Sequence, residues 1–179
     1  MAAYRVARIA HVRNAGIDAA AGDYVCQVDS DNTIDPDHVE TLLHSLIASD
    51  ATVSHCHKKL LQPDGTPYTL PLHPWIGSAD AAALAYRELE QQGIYTSGTN
   101  LCRDRVEVGL DANEFFMRTE DFRRLRFRED YSQEEMDALL GEDDDLSARL
   151  VQSGVRVSST GRFTLNFYLG GLFTTELRD

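Results

Sequence analysis

One stretch constrains the fold more than any other: Tyr24-Val25-Cys26-Gln27-Val28-Asp29-Ser30-Asp31-Asn32. Its apolar-leaning, β-prone start predicts a buried strand that ends abruptly in two carboxylates one residue apart. In an open α/β sheet helices cover both faces, so such a strand presents Asp29 and Asp31 at the carboxyl edge, where ligands sit. Two hard oxygen donors suit Mg²⁺ or Mn²⁺, which keeps several waters and takes further ligands from a substrate phosphate. The stretch therefore predicts a metal and diphosphate site. The plainer alternative is a polar turn, in which Asp and Asn bond to the local backbone.

The flanks support an α/β chain. From Tyr4 to about Ala21, the residues Val6, Ile9, Ala10, Ile17 and Ala20 recur at three- and four-residue steps, the spacing of an amphipathic helix carrying Arg13-Asn14-Ala15-Gly16. Gly22-Asp23 supplies the turn into the strand. Beyond the carboxylates, Asp35-Pro36 predicts a helix start, with Asp35 capping free amides and Pro36 where no donor is needed. Val39, Leu42, Leu43, Leu46 and Ile47 would form its buried stripe.

Further along, Ala51–Leu61 predicts a second strand closed by a Pro63-Asp64-Gly65 turn, Ser78–Gln92 a capped helix, and Ile94–Cys102 another strand. Tyr68–Gly77, with His73 and Trp75, has no period and reads as an irregular loop that could cover a substrate. Asp104–Phe127 is mixed and locally basic. Gly141-Glu142-Asp143-Asp144-Asp145 opens a helix carrying Leu146, Leu150 and Val151, and Gly154–Leu172 holds two β-prone pieces, Val155–Ser158 and Phe163–Tyr168.

Composition narrows the function. With 17 Lys+Arg against 29 Asp+Glu, a net charge of −12 argues against a broad nucleic-acid face. Local nucleotide binding through a metal or a single Arg remains compatible with it. Cys26, Cys56 and Cys102 are odd in number and far apart, so they predict reduced, buried thiols rather than a disulfide framework. No apolar run approaches the roughly 18 residues that span a bilayer, and the first residues carry no apolar stretch of the signal-peptide type. The expected location is the cytoplasm.

The acidic run has two readings. Asp144 and Asp145 complement the helix dipole, with Asp145 reaching Arg149 four residues on. A carboxylate at such a helix start can also act as general base on an acceptor hydroxyl. His55-Cys56-His57 puts two imidazoles on one strand face, but no third ligand is identifiable. Trp75 reads as packing or as a sugar-stacking platform.

Taken in order, Arg13-Asn14-Ala15-Gly16, Gly22-Asp23-Tyr24, Asp29-Ser30-Asp31, Ser97-Gly98-Thr99-Asn100 and Gly141-Glu142-Asp143-x-Asp145-Leu146 with Arg149 resemble the family 2 glycosyltransferases of the GT-A fold. The resemblance runs from about Arg5 to Val157. It implies a Rossmann-like three-layer α/β/α domain with a mixed, mostly parallel sheet. It also implies metal-dependent, inverting transfer of a sugar from a nucleotide-diphosphate donor to an acceptor hydroxyl. Asp31 would hold Mg²⁺ or Mn²⁺, with Asp29 contacting it through water or touching the donor sugar. Asp143 would be the base with Glu142 beside it, and Gly98, Thr99 and Asn100 would form the donor and acceptor wall. Arg13 and Asn14 would stand near the donor.

Members of that family usually begin with a strand, helix and strand that hold the nucleotide base. The resemblance therefore implies an N-terminally truncated, single partial domain over residues 1–179, with a second copy or a partner supplying the absent unit at the incomplete sheet edge. His73 is the last histidine, which leaves Asp31, water and diphosphate as the expected ligands. Two alternatives stay open. Asp29-Ser30-Asp31-Asn32-Thr33 also matches the opening of haloacid-dehalogenase-like phosphatases, with Asp29 as nucleophile and Asp31 as acid/base, although Lys58 and Lys59 come too early for that family's lysine. The other alternative is a non-catalytic transferase-like scaffold.

Overall fold

The computed structural model describes residues 2–132, 134–135 and 141–170, with side chains from residue 6 onward. In chain order the elements are α1 (Ala2–Ala19), β1 (Tyr24–Cys26), β2 (Thr33–Ile34), α2 (His38–Ala48), β3 (Val53–Leu61), α3 (Ala79–Gln91), β4 (Leu101–Cys102), β5 (Phe115–Arg118), α4 (Thr119–Leu125), α5 (Glu142–Ser153) and β6 (Val157–Tyr168). Gly171 and Leu172, at the end of the expected tail, lie outside the described residues. Among the described residues no helix is long and apolar enough to cross a membrane.

The architecture is α/β with a mixed sheet. Its balance differs from the expectation of mostly parallel strands, because β1–β5, β2–β6, β3–β4 and β3–β5 all pair antiparallel. Alternation of helices and strands in a sequence fixes the layers but leaves strand direction to the connections. The chain forms two compact units: Met1–Gln27, Val39–His55 and Arg105–Thr160 in the first, and Val28–His38, Cys56–Asp104 and Gly161–Asp179 in the second.

In the first unit β5 is flanked by β1 (Tyr24↔Arg118, Val25↔Met117, Cys26↔Phe116) and by the start of β3 (Val53↔Met117, Ser54↔Phe116, His55↔Phe115). This strand has no long apolar run in the sequence, yet Phe115, Phe116 and Met117 are fully buried. Ile17 of α1, Phe122 of α4 and Leu146 and Leu150 of α5 pack on the same core. Each such side chain contributes about 1.5–3 kcal/mol on burial. On α2 the buried stripe is narrower than its spacing predicts: Leu42 and Leu46 are buried, whereas Val39 and Ile47 face solvent.

In the second unit β2 pairs with the later part of β6 (Thr33↔Asn166, Ile34↔Leu165), and the later part of β3 pairs with β4 (Lys58↔Cys102, Lys59↔Leu101). Tyr86 of α3 stacks on Tyr95 with ring centroids 4.9 Å apart, beside Leu60, Tyr68 and Cys102. The strand expected over Ile94–Cys102 shrinks to Leu101–Cys102. Gly98 adopts φ +68°, and Thr99 N–H donates to the Thr96 carbonyl at 3.2 Å, closing a turn that ends any extended run. Conversely, the two expected tail pieces form one strand, β6, which runs through Gly161. All three cysteines are free thiols.

Candidate active site

In the second unit the chain turns sharply just after β1. Asn32 N–H donates to the Asp29 carbonyl at 3.0 Å, closing a four-residue turn with Ser30 and Asp31 at its tip. Asp31 is exposed and Asp29 is half-buried. Both carboxylates are therefore carried by one turn, the plainer of the two readings of the sequence, and β1 ends at Cys26, short of the strand end expected at the carboxylates. Among the described residues no group of three or more His, Cys, Asp and Glu side chains forms a metal cage.

What holds this turn differs from expectation at one residue. Asp35 was expected to cap the following helix, yet its carboxylate accepts from Lys59 Nζ at 3.0 and 2.7 Å and from Asn166 Nδ2 at 3.1 Å. Burial pushes its proton affinity up, but the bonds from Lys59 and Asn166 and the charges of Lys59 and His38 outweigh that and hold it below the usual Asp range. His38 Nδ1 meets Thr164 Oγ1 at 2.8 Å, and Asp35 N–H donates to the Thr164 carbonyl at 2.9 Å. Tertiary partners from β3 and β6 have won over local capping.

In the first unit, α5 begins with four acidic residues in its first turn. A helix N-terminus carries unpaired N–H groups and the positive end of the helix dipole, so acids here are locally favourable. Two of them are neutralised by cations. Glu142 is buried and accepts from Arg13 Nε at 3.0 Å, while Arg13 Nη1 donates to Gln27 Oε1 at 3.2 Å. Asp145 accepts from Arg149 Nε at 2.8 Å, and that guanidinium also donates to the carbonyls of Leu125 and Arg126.

Asp143 has no cation partner among the described residues. Burial, followed by the like charges of Asp111, Glu142 and Asp144, pushes its carboxyl well above the ordinary Asp range, against a backbone N–H donated by Asp144 at 3.0 Å. Gly141 leaves room for this arrangement, since a Cβ there would collide with Asp143 Oδ1.

The family model for "Glycosyl transferase family 2" matches residues 5–126. The chain belongs to this family. It is therefore a glycosyltransferase, a class that works between a nucleotide-sugar donor and an acceptor. A comparison with curated proteins finds no match. The matched stretch includes Arg13, Asn14, Asp29, Asp31, Trp75 and Gly98-Thr99-Asn100, and it ends before Glu142.

Within this glycosyltransferase the remaining predicted residues have varied placements. Asn14 is 1% exposed; its amide donates to the Phe127 carbonyl at 2.8 Å and to Glu129 at 2.6 Å, and accepts from Phe127 N–H at 2.9 Å. It braces the segment after α4. Thr99 Oγ1 donates to the Thr96 carbonyl at 2.9 Å and accepts from Leu101 N–H at 3.2 Å, and the Asn100 carbonyl accepts from Leu60 N–H at 2.6 Å. Gly98 sits exposed at the tip of that turn. Trp75 is half-buried in the irregular loop, edge-on to Phe167 at 5.6 Å, with Lys58 Nζ 5.5 Å from its ring. That lysine is buried and paired with Asp104 at 2.8 Å.

Sequence reasoning missed Asp111. It sits on the Ala112–Glu114 turn, where its carboxylate accepts from Asn113 N–H at 2.9 Å and Glu114 reaches back to Asp111 N–H at 2.9 Å. The turn is tied to α5 by Leu110 N–H donating to Ser147 Oγ at 2.9 Å. The available signal was the Asp111-x-x-Glu114 capping box, which marks a helical turn inside an otherwise featureless stretch.

Proposed function

We propose that this glycosyltransferase transfers a sugar with inversion from a nucleotide-diphosphate donor to an acceptor hydroxyl, with Asp143 as the general base and Asp31 as the ligand of a divalent cation. The observation that carries the reading is Asp143: a half-buried carboxylate at a helix start whose neighbours Glu142 and Asp145 are matched by Arg13 and Arg149, while it stays crowded by the like charges of Asp111, Glu142 and Asp144. A carboxylate whose proton affinity is raised takes a hydroxyl proton more effectively than an ordinary one does.

In the proposed reaction Asp143 removes the acceptor proton as the acceptor oxygen attacks the anomeric carbon. The bond from that carbon to the diphosphate oxygen breaks on the opposite face, and the nucleoside diphosphate leaves with the bonding electron pair. A single displacement of this kind inverts the anomeric centre. Asp31 and Asp29 supply two oxygen donors on one turn, a set that suits Mg²⁺ or Mn²⁺ completed by water and phosphate oxygens. When bound, such an ion offsets the charge that develops on the leaving diphosphate. Trp75 and the Gly98-Thr99-Asn100 turn are proposed to contact sugar.

The phosphatase alternative is not carried forward, because the chain belongs to a glycosyltransferase family and both candidate lysines are committed, Lys58 to Asp104 and Lys59 to Asp35. The test is a pair of variants assayed with Mn²⁺ across a panel of nucleotide-sugars. Asp143→Asn is expected to abolish transfer and keep donor binding, whereas Asp31→Asn is expected to lose metal-dependent donor binding. Turnover retained in Asp143→Asn removes that residue as the base. Absence of binding for every donor favours the scaffold reading.

A further inference from the structure

The turn that carries Asp29 and Asp31 is followed, residue by residue, by bonds to β6. Thr33 pairs with Asn166, Ile34 pairs with Leu165, and Asp35 N–H donates to the Thr164 carbonyl. Extended back past Thr33, the register would set Asp31 opposite Tyr168, but Asp31 lies in the turn that Asn32 N–H closes on the Asp29 carbonyl at 3.0 Å. The side chain takes over at that point: Asn32 Oδ1 accepts from Tyr168 N–H at 3.0 Å. Asn32 is 8% exposed, so its side chain is enclosed by protein.

We infer that Asn32 is a positioning residue for the carboxylate turn, its side chain extending the β2–β6 ladder by one bond and thereby fixing where Asp31 presents its oxygens. The inference rests on the proposed cation-binding role of Asp31. One residue does two jobs, one with its backbone and one with its side chain. Its N–H closes the turn, and its side-chain oxygen stands in for the Asp31 carbonyl as the acceptor of Tyr168 N–H. Asn and Asp can do both, because a short side chain with an acceptor oxygen reaches a neighbouring backbone N–H. Alanine closes the turn but leaves Tyr168 N–H without the Asn32 acceptor.

The test measures Mn²⁺ affinity by electron paramagnetic resonance, with and without UDP, on the whole chain, alongside thermal unfolding. Asn32→Ala is expected to weaken Mn²⁺ binding by about 10–100-fold, the usual cost of removing a group that orients a metal ligand. Asn32→Asp, which keeps the acceptor oxygen, is expected to bind Mn²⁺ at least as well as the unaltered chain. If Asn32→Ala is folded and binds Mn²⁺ within twofold of the unaltered chain, Asn32 merely stabilises the fold and the inference is overturned. It is equally overturned if Asn32→Asp loses as much affinity as Asn32→Ala. Should Asn32→Ala fail to fold, Asn32→Gln displaces the oxygen by one methylene; weakened binding supports the inference and unchanged binding overturns it. Failure of the unaltered chain to bind Mn²⁺ under either condition removes the metal reading itself, and this inference with it.

Discussion

The turn at Asp29–Asp35 and the helix start at Gly141–Asp145 are both acidic, yet they handle charge in opposite ways. Around the turn, Asp35 is bound by Lys59 and Asn166, and Asp31 is exposed. At the helix start, carboxylates crowd one another, and that crowding raises the proton affinity of Asp143. Like residue types thus serve different chemistry according to what surrounds them. A surface carboxylate on a tethered turn is suited to gripping a cation. A crowded one is suited to accepting a proton.

The comparison can be broken at several points. The largest effect is expected from Asp143→Asn, which should lower the transfer rate by about 10²–10⁴-fold, the usual worth of a general base. Single-turnover kinetics with donor bound will measure this. Next, Gly141→Ala should also depress transfer, because its Cβ occupies the space of the Asp143 carboxylate. A kcat equal to that of the unaltered chain would show that Asp143 moves aside freely. Asp111→Asn keeps an acceptor for Asn113 N–H but removes a charge that raises the Asp143 proton affinity. The acid limb of the kcat profile should therefore move to lower pH.

The smallest effects are on stability, and their signs differ between the two regions. Asp143 binds its proton more tightly when folded, so stability falls as pH rises from the ordinary Asp range through its raised value. Asp143→Asn should accordingly raise Tm at neutral pH by about 2–4 °C, even as it abolishes activity. Asp35 is held low in the folded chain, so its contribution is present above the ordinary Asp range and disappears as pH falls through its lowered value. Asp35→Asn should lower Tm at neutral pH by about 2–4 °C, allowing for partial solvent screening of the Lys59 pair. Calorimetry of both variants across pH would sharpen or remove the contrast.

Local pattern made much of this legible. The periodic apolar residues of α1, the helix that follows Asp35-Pro36, the alternation of β3 and the acidic opening of α5 all correspond to observed elements. What escaped was settled by partners distant in sequence. Asp35 looked like a helix cap because Lys59 and Asn166 are invisible in a linear reading. β5 was hidden because a short strand carries little periodicity of its own and is defined by its two neighbours. Asp111 went unnoticed for the same reason: its effect on Asp143 arises only when its turn packs against α5.

The cysteines carry a practical consequence. Cys56 and Cys102 are buried, and burial pushes the half-exposed Cys26 thiol up to about 11, so little thiolate is present at neutral pH. Alkylating and fluorescent maleimide reagents should react slowly with all three. A single cysteine introduced at an exposed position such as Leu70, in the loop that carries Trp75, would then be the one fast-labelling group. Loop movement on sugar binding could be followed optically without first stripping the chain of its own sulfur.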